Sequence, residues 1–499
     1  MLRKNNNRSI QSLLKSDPGR SHSMTRSSPR WRFDASRTPL LAEEWRAMSA
    51  DAATETVQEA IDALFSGAVV NPSERQPALH MALRAAHPAE AAPDDDAETI
   101  ERSRRRLLDL ASRLHDGRAG IRTLLHIGIG GSDLGPRLVA DALDSGTSAI
   151  DVEWLTTLDA DRVQRLQQTL DPATTGMVVA SKSFSTVETL TQAAHWRDWL
   201  GGRPDRIWAA TASPEKAAEF GVLPENVLAF PSWTGGRFSL WSSVGLSAAA
   251  LIGPERWQQL LRGAAQADRA VREAVGDSLA FAMAGCIDAL VRRFEFATLG
   301  VVSYEPRLRL LAEYLQQLVM ESLGKSTGLD GASLCRPTSP LVFGGAGTDL
   351  QHSLFQALHQ GTTRHPMLLL GTSSTDSAMP GWRHEQLAHL LGQASALVNG
   401  RDDEQRERSL PGNNPVMLML ARALDPETVG ELLATFEHAV YLLGVGWDIN
   451  PFDQWGVEEG KRLAVGFRQA LEGESSSPDP SLDALVEWIR AQGDGKTGQ

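Results

Sequence analysis

The run Met177-Val178-Val179-Ala180-Ser181-Lys182-Ser183-Phe184-Ser185-Thr186-Val187-Glu188-Thr189-Leu190 decides how this chain is read. Its first four residues are apolar and β-prone, the next six read as a tight turn, and the spacing from Val187 to Leu200 predicts a helix. Four hydroxyls (Ser181, Ser183, Ser185, Thr186) and Lys182 therefore gather at a helix N-terminus. Unpaired N–H groups and the positive end of the helix dipole draw anions to such a place. A phosphate monoester would find backbone donors, hydroxyl donors and a cation together. Hydroxyls also cap helices that bind nothing. Either use suits this stretch taken alone, although a cap requires only one of the four.

Working outward, strands and helices alternate. Ile121 to Ile129 reads as a strand, Leu134 to Leu143 as a helix, Val152 to Leu155 as a strand and Asp161 to Leu170 as a helix. Arg206 to Thr211 and Pro214 to Phe220 add a further strand and helix. Strict alternation predicts a parallel sheet covered on both faces, with ligands beyond the C-terminal strand ends. After an Ala-rich helical stretch over 240–300, alternation resumes at Val301 to Tyr304. Leu308 to Leu323 reads as a helix, Leu341 to Phe343 as a strand, Asp349 to His359 as a helix and Met367 to Leu370 as a strand. Helices follow at Glu427 to Leu443 and Val457 to Leu471, and Ser481 is placed to cap a last helix reaching Ile489. Toward the N-terminus, 40–65 reads as helical, Ala78 to Ala86 as a short helix, Ala91 to Asp96 as an acidic loop and Ile100 to Leu114 as an Arg-rich amphipathic helix. The organisation is two α/β units in tandem.

Bulk properties narrow the function. At 499 residues the chain has room for two or three domains, and its net charge of −13 argues against broad nucleic-acid or membrane-surface binding. Cys286 and Cys335 stand alone, which gives no disulfide framework and no zinc pattern, and fits a reducing cytoplasm. No apolar run is long enough for a membrane span. Residues 1–35 are basic and polar and are expected to form a disordered arm, with a start at Met24 as another option.

Five other places carry chemically suggestive types. Gly128-Ile129-Gly130-Gly131-Ser132-Asp133 fails the dinucleotide fingerprint, because Asp133 stands where Gly or Ala is required, and it lacks the Lys of a phosphate-binding P-loop. Its glycines serve either a structural turn or close approach to a small ligand, with Ser132 donating. Gly235-Gly236-Arg237-Phe238-Ser239 offers a guanidinium fork beside two glycines. Gln317 and Glu321 lie four apart on one helix face, at the border of Leu311, Leu315, Leu318 and Val319. A carboxylate there is either a solvated surface group or a desolvated base. His352 follows Gln351 near a second glycine turn, without a metal-binding pattern. Gln454 and Lys461 are two helical turns apart.

Taken in order, these blocks resemble the glucose-6-phosphate isomerase family: 127–136, 180–186, 235–242, Gln317 to Lys325, Gly347-Thr348 with Gln351-His352, His359 to Thr362, and Phe452 to Lys461. The resemblance runs from about Leu64 to the C-terminal helix. It implies two sugar-isomerase (SIS-type) α/β/α sandwich domains with mostly parallel sheets, over 96–265 and 266–473. N-terminal helices at 36–95 would pack on the second domain, and 474–499 would form a linker and C-terminal helix. It implies reversible conversion of glucose 6-phosphate to fructose 6-phosphate through ring opening and a cis-enediol, without metal or cofactor, by a cytoplasmic homodimer with shared sites. A non-catalytic sugar-phosphate regulator of the same fold is the alternative. Matched residue by residue, Glu321 would be the base, Arg237 the stabiliser of the enediolate, and His352 (from the partner) and Lys461 the ring openers. Ser181, Lys182, Ser183, Phe184, Ser185 and Thr186 would hold phosphate, and Gly131, Ser132, Gly236, Gln317 and Gln454 would bind the sugar. Ser183 and Ser185 replace threonines common in the family and keep the hydroxyls. Asp349-Leu350 replaces the usual Asn-Gly, at the loop that positions His352.

Overall fold

Eleven strands, β1 to β11, make two sheets in a computed structural model that describes residues 8–51, 55–374 and 379–493. The first sheet holds β3 (Thr123–Ile127), β4 (Asp151–Leu155), β5 (Thr175–Ala180), β6 (Ile207–Thr211) and β7 (Val227–Ala229), in the order β4-β3-β5-β6-β7 and parallel throughout. β5 and β6 are buried along their whole length, as strands covered on both faces must be. The core on one face joins Leu125, Ile127, Met177 and Val179 to Trp196 of helix Val187–Trp199.

The second sheet contains β8 (Thr298–Ser303), β9 (Leu341–Ala346), β10 (Met367–Thr372) and β11 (Val416–Ala421), parallel to one another in the order β11-β10-β8-β9. The short strands β1 (Thr25–Ser27) and β2 (Trp31–Arg37) extend its β11 edge as an antiparallel hairpin. The two sheets give the α/β architecture expected.

The expected disordered arm needs correction over its described part. Residues 9–37 form helix Ile10–Ser16, helix Arg20–Ser23 and the β1–β2 hairpin. Ile10 packs into the second sheet's core, Phe33 and Ala35 are fully buried, and the Trp31 indole donates to the Thr428 carbonyl at 2.9 Å. Arg20 is buried and its guanidinium donates to the carbonyls of Ser36, Thr38 and Leu40. Basic composition misled because these arginines find carbonyls and carboxylates: Arg30 meets Asp425 and Glu427, and Arg8 meets Glu44. Residues 1–7 lie outside the described residues.

Local readings shift elsewhere. Ala78 to Ala86 is a series of turns. Asp94, Asp95 and Asp96 are the first turn of helix Asp94–His115 rather than a loop, where their charges complement the helix dipole. The helix predicted over Asp349 to His359 is broken into Gly347–Leu350 and Phe355–Gln360. Asp479, not Ser481, caps the C-terminal turn by accepting from the Ser481 N–H. β1, β2, β7, β11 and helix Pro380–Asn399 add to the elements predicted. Among the described residues no helix is long and apolar enough to cross a membrane.

The chain falls into two compact units divided between Pro451 and Phe452. The larger contains both sheets. The smaller contains helices Glu458–Glu472 and Asp483–Gly493, joined by a turn in which Pro478 packs against Gly466.

Candidate active site

The strand order of the first sheet reverses between β3 and β5: β3 leads outward to β4 on one side, and β5 to β6 on the other. A crevice at the C-terminal ends of such strands is where open α/β sheets admit ligands. The turn after β3 is the glycine turn 128–133, and the turn after β5 is Ser181 to Thr186. Chain topology therefore brings the two motifs side by side.

The hydroxyl turn is built around its one apolar residue. Phe184 is 3% exposed, packs edge-on against Phe220 at 5.8 Å, and belongs to the core beneath the turn. Its φ of +45° is a left-handed conformation that non-glycine residues adopt at a cost. Burial of the ring holds it there, and the flanking Ser183 and Ser185 point out to solvent, with their hydroxyls 2.7 Å apart. Ser181 is buried and its Oγ has no hydrogen-bond partner. Thr186 precedes helix Val187–Trp199 without capping it through its side chain. The N-cap explanation of these hydroxyls is thereby weakened. Lys216, which sequence reasoning passed over, donates to the Ser183 carbonyl at 3.2 Å and adds a cation to the turn. Burial, with help from the nearby Arg237 charge, lowers the Lys182 pKa below the usual lysine range, against a pull upward from Glu74.

The glycine turn lies against the Arg237 loop. A Cβ on Gly131 would overlap the Gly236 carbonyl, so only glycine permits this approach. Gly130 has φ +58°, and a Cβ there would lie 3.0 Å from Gln317 Nε2. Ser239 Oγ also donates to the Gly131 carbonyl at 3.3 Å. His126, at the end of β3, was not singled out in the sequence. It is fully buried, with Nε2 2.6 Å from the Ser132 carbonyl and Nδ1 2.8 Å from Ser247 Oγ. A carbonyl only accepts, so Nε2 carries the proton and Nδ1 accepts from Ser247. Burial pushes its pKa down to about 4, which keeps the ring neutral and the tautomer fixed.

Arg237 is buried and held on three sides. Nε donates to Ser322 Oγ at 2.6 Å, Nη2 donates to the Pro451 carbonyl at 2.6 Å, and Nη1 lies 3.4 Å from Glu321 Oε1. Ser322 was inside a matched block without a role; it fixes the guanidinium. Glu321 keeps 21% of its side chain exposed while Leu311, Leu315, Leu318 and Val319 beside it are buried, the border position its spacing predicted. The segment is not plain α-helix: Gln316–Glu321 is wound as a π-helix, a form that recurs at functional sites. Gln317 and Glu321 remain on the same side.

An ion-pair strap ties this Glu321-bearing segment to the glycine turn. Arg137 bridges Asp133 (Nε–Oδ2 3.1 Å) and Glu313 (3.2 Å), and Arg309 pairs with Asp141. Burial pushes the Asp133 carboxyl up to about 6, against the opposing pull of Arg137.

Thus Gly131, Ser132, Ser181 to Thr186, Gly236, Arg237, Gln317 and Glu321 line one side of the larger unit around the β3–β5 reversal. His352 is exposed on the turn between the two short helices, and neighbouring Gln351 donates to the Tyr304 hydroxyl at 2.8 Å. Gln454 and Lys461 belong to the smaller unit, where Lys461 is exposed and 2.8 Å from Glu458 Oε1. Among the described residues no three His, Cys, Asp or Glu side chains are arranged to hold a metal ion.

Known proteins match this chain over most of its length. The sequence model described as phosphoglucose isomerase matches residues 34–486. A glucose-6-phosphate isomerase of Stenotrophomonas maltophilia (strain R551-3) is 43% identical over 97% of this chain and 95% of its own length. One from Xanthomonas axonopodis pv. citri is 40% identical over 96% of each. The crystal structure of a glucose-6-phosphate isomerase from Chlamydia trachomatis superposes with a TM-score of 0.85 at 26% identity, covering 97% of this chain and 96% of that one. With the family match covering about nine-tenths of its length, this chain belongs to the phosphoglucose isomerase family.

Proposed function

We propose that the chain is an aldose-ketose isomerase that interconverts glucose 6-phosphate and fructose 6-phosphate. The observation that carries the reading is the Glu321–Arg237 pair: a half-shielded carboxylate 3.4 Å from a buried, fixed guanidinium. Moving a proton α to a carbonyl requires a base beside a cation that can neutralise the oxygen on which charge develops. Glu321 takes the proton from C2 of the open-chain aldose while the C1 carbonyl becomes an enediolate oxygen facing Arg237. The hydroxyl proton passes from O2 to O1, the carbon-bound proton returns from Glu321 to C1, and C2 becomes the ketone. Ser181, Ser183, Ser185 and Thr186 hold the phosphate, with Lys182 and Lys216 supplying positive field, and Phe184 sets the turn. Gly131, Ser132, Gly236, Gln317 and Gln454 contact the sugar. Lys461 opens the ring together with His352, the latter acting in the site of a partner copy. The working form is then a cytoplasmic homodimer serving glycolysis and gluconeogenesis, with no cofactor.

A coupled assay following glucose 6-phosphate formed from fructose 6-phosphate tests the reading directly. Robust turnover is expected, and a purified chain that binds fructose 6-phosphate without converting it would overturn the assignment. Lys461→Ala is expected to slow reaction of the cyclic sugar by about 10²-fold or more, the scale of lost acid–base catalysis. A substrate that cannot cyclise should suffer much less. Equal loss on both would remove Lys461 from ring opening.

A further inference from the structure

The second sheet repeats the strand order of the first: β9-β8-β10-β11 corresponds to β4-β3-β5-β6. It therefore has its own reversal, between β8 and β10, and so its own crevice of the kind that admits ligands. Thr372 ends β10, Ser373 and Ser374 follow, and helix Pro380–Asn399 comes next. In the first sheet, Ser181 to Thr186 likewise follow a strand and precede a helix.

The second crevice is filled from within. Glu305, two residues beyond β8, is 1% exposed. Its carboxylate accepts from Thr372 Oγ1 at 2.7 Å and from Arg307 Nε at 3.1 Å, and lies 2.8 Å from Arg383 Nη2. Burial alone would raise its pKa, but Arg307, Thr372 and Arg383 together hold it below the ordinary carboxylate range. A hydroxyl and two guanidiniums, one of them (Arg383) near the N-terminus of a 20-residue helix, form the donor set of a phosphate site. That set is larger than one carboxylate can use. Arg383 is 8% exposed, and its Nε and Nη1 have no hydrogen-bond partner.

We propose that Glu305 is a tethered anion occupying a phosphate site in the second α/β unit, so that each copy of the chain holds sugar phosphate only at the first. The comparison rests on reading Ser181 to Thr186 as the phosphate turn. Without the Glu305 side chain, two guanidiniums and the Thr372 hydroxyl would face a space of anion size, and a phosphate has enough oxygens for the unused Arg383 donors as well. Arg383 then sets specificity in the variant, because without it the uncovered positive charge falls to the half-exposed Arg307.

The test is calorimetric titration of the intact protein with inorganic phosphate, with fructose 6-phosphate saturating the first site. Wild type should take up no further phosphate, and Glu305→Ala one per chain. The double variant Glu305→Ala with Arg383→Met should fold without added anion and bind none. If Glu305→Ala is recovered folded from phosphate but not from chloride buffer, the proposal is equally supported. A folded Glu305→Ala that takes up no phosphate would overturn it, as would single and double variants that behave alike in both buffers. Ser183→Ala with Ser185→Ala tests the first turn separately. Unchanged fructose 6-phosphate binding there would defeat the phosphate reading of that turn and leave the Glu305 result standing.

Discussion

Glu321→Gln is expected to lower kcat by about 10²–10⁴-fold, the range for losing a positioned general base, while fructose 6-phosphate still binds. That loss equals roughly 3–5 kcal/mol of transition-state stabilisation. The amide keeps the volume and can still meet Arg237, whose contacts to Ser322 Oγ and the Pro451 carbonyl do not involve residue 321. KM should therefore change little, because the proposed phosphate turn, Ser181 to Thr186, is untouched. Solvent deuterium exchange into the substrate at C2 should fall in parallel with kcat. If exchange continued at the wild-type rate while net conversion stopped, another group would be removing the proton.

The main α/β logic was legible because it rests on short-range pattern. Apolar runs such as Met177 to Ala180 followed by a turn and a 3.6-period helix can mean little else, and the topology then fixes which turns adjoin. The Glu321 border position was legible for the same reason: four apolar neighbours at helical spacing are buried as predicted. What escaped depends on contacts distant in sequence. β11 pairs with β10 on one side and with the N-terminal β2 on the other, so its apolar run reads no differently from a buried helix segment until both neighbours are known. His126 looks like one polar interruption in a strand, and its role appears only when Ser132 folds back within reach. Lys216 and Ser322 carry no local signal at all. The π winding at Gln316–Glu321 leaves no mark in the spacing either, since residues four apart remain neighbours.

Arg84 escaped too, and its removal should be the most damaging single change to stability. It is fully buried, stacks over Trp241 at 4.8 Å, and pairs with two carboxylates, Asp268 (2.6 and 2.8 Å) and Glu437. His438 Nε2 lies 2.7 Å from the same Asp268, and the Trp241 indole donates to Glu437 at 2.8 Å. Arg84→Met would leave two buried carboxylates without their cation, and breaking a buried pair in this way costs about 3–5 kcal/mol. The urea midpoint of unfolding should fall accordingly. Adding Asp268→Asn and Glu437→Gln should recover most of the loss, since the uncompensated charges cause it. The pH dependence identifies the cause. In the wild type, burial pushes the Asp268 pKa up but Arg84 and His438 outweigh it, so the folded-state pKa lies far below the ordinary value. Asp268 therefore adds stability that is present above about pH 4 and lost as the pH falls through its folded pKa. Glu437 has the opposite sign: burial exceeds the help from Arg84 and Trp241, its pKa is raised, and its ionisation already costs stability as the pH rises. Without Arg84, desolvation governs both groups. Both folded pKa values then exceed the unfolded ones, and the variant should lose stability as pH rises from about 4 through neutrality, where a paired Asp268 would have held it. Trp241 lies in the chain just beyond Arg237, and His80 stacks on Phe238 at 4.7 Å, so the same cluster braces the loop that presents the guanidinium to Glu321. Arg84→Met should accordingly lower kcat even at temperatures where it remains folded, and the triple variant should regain stability before it regains rate. Urea midpoints and initial rates measured across that pH range on all three proteins decide the matter, and a single variant whose midpoint falls with rising pH no more steeply than the wild type's would show that Arg84 is not the counter-charge on which Asp268 depends.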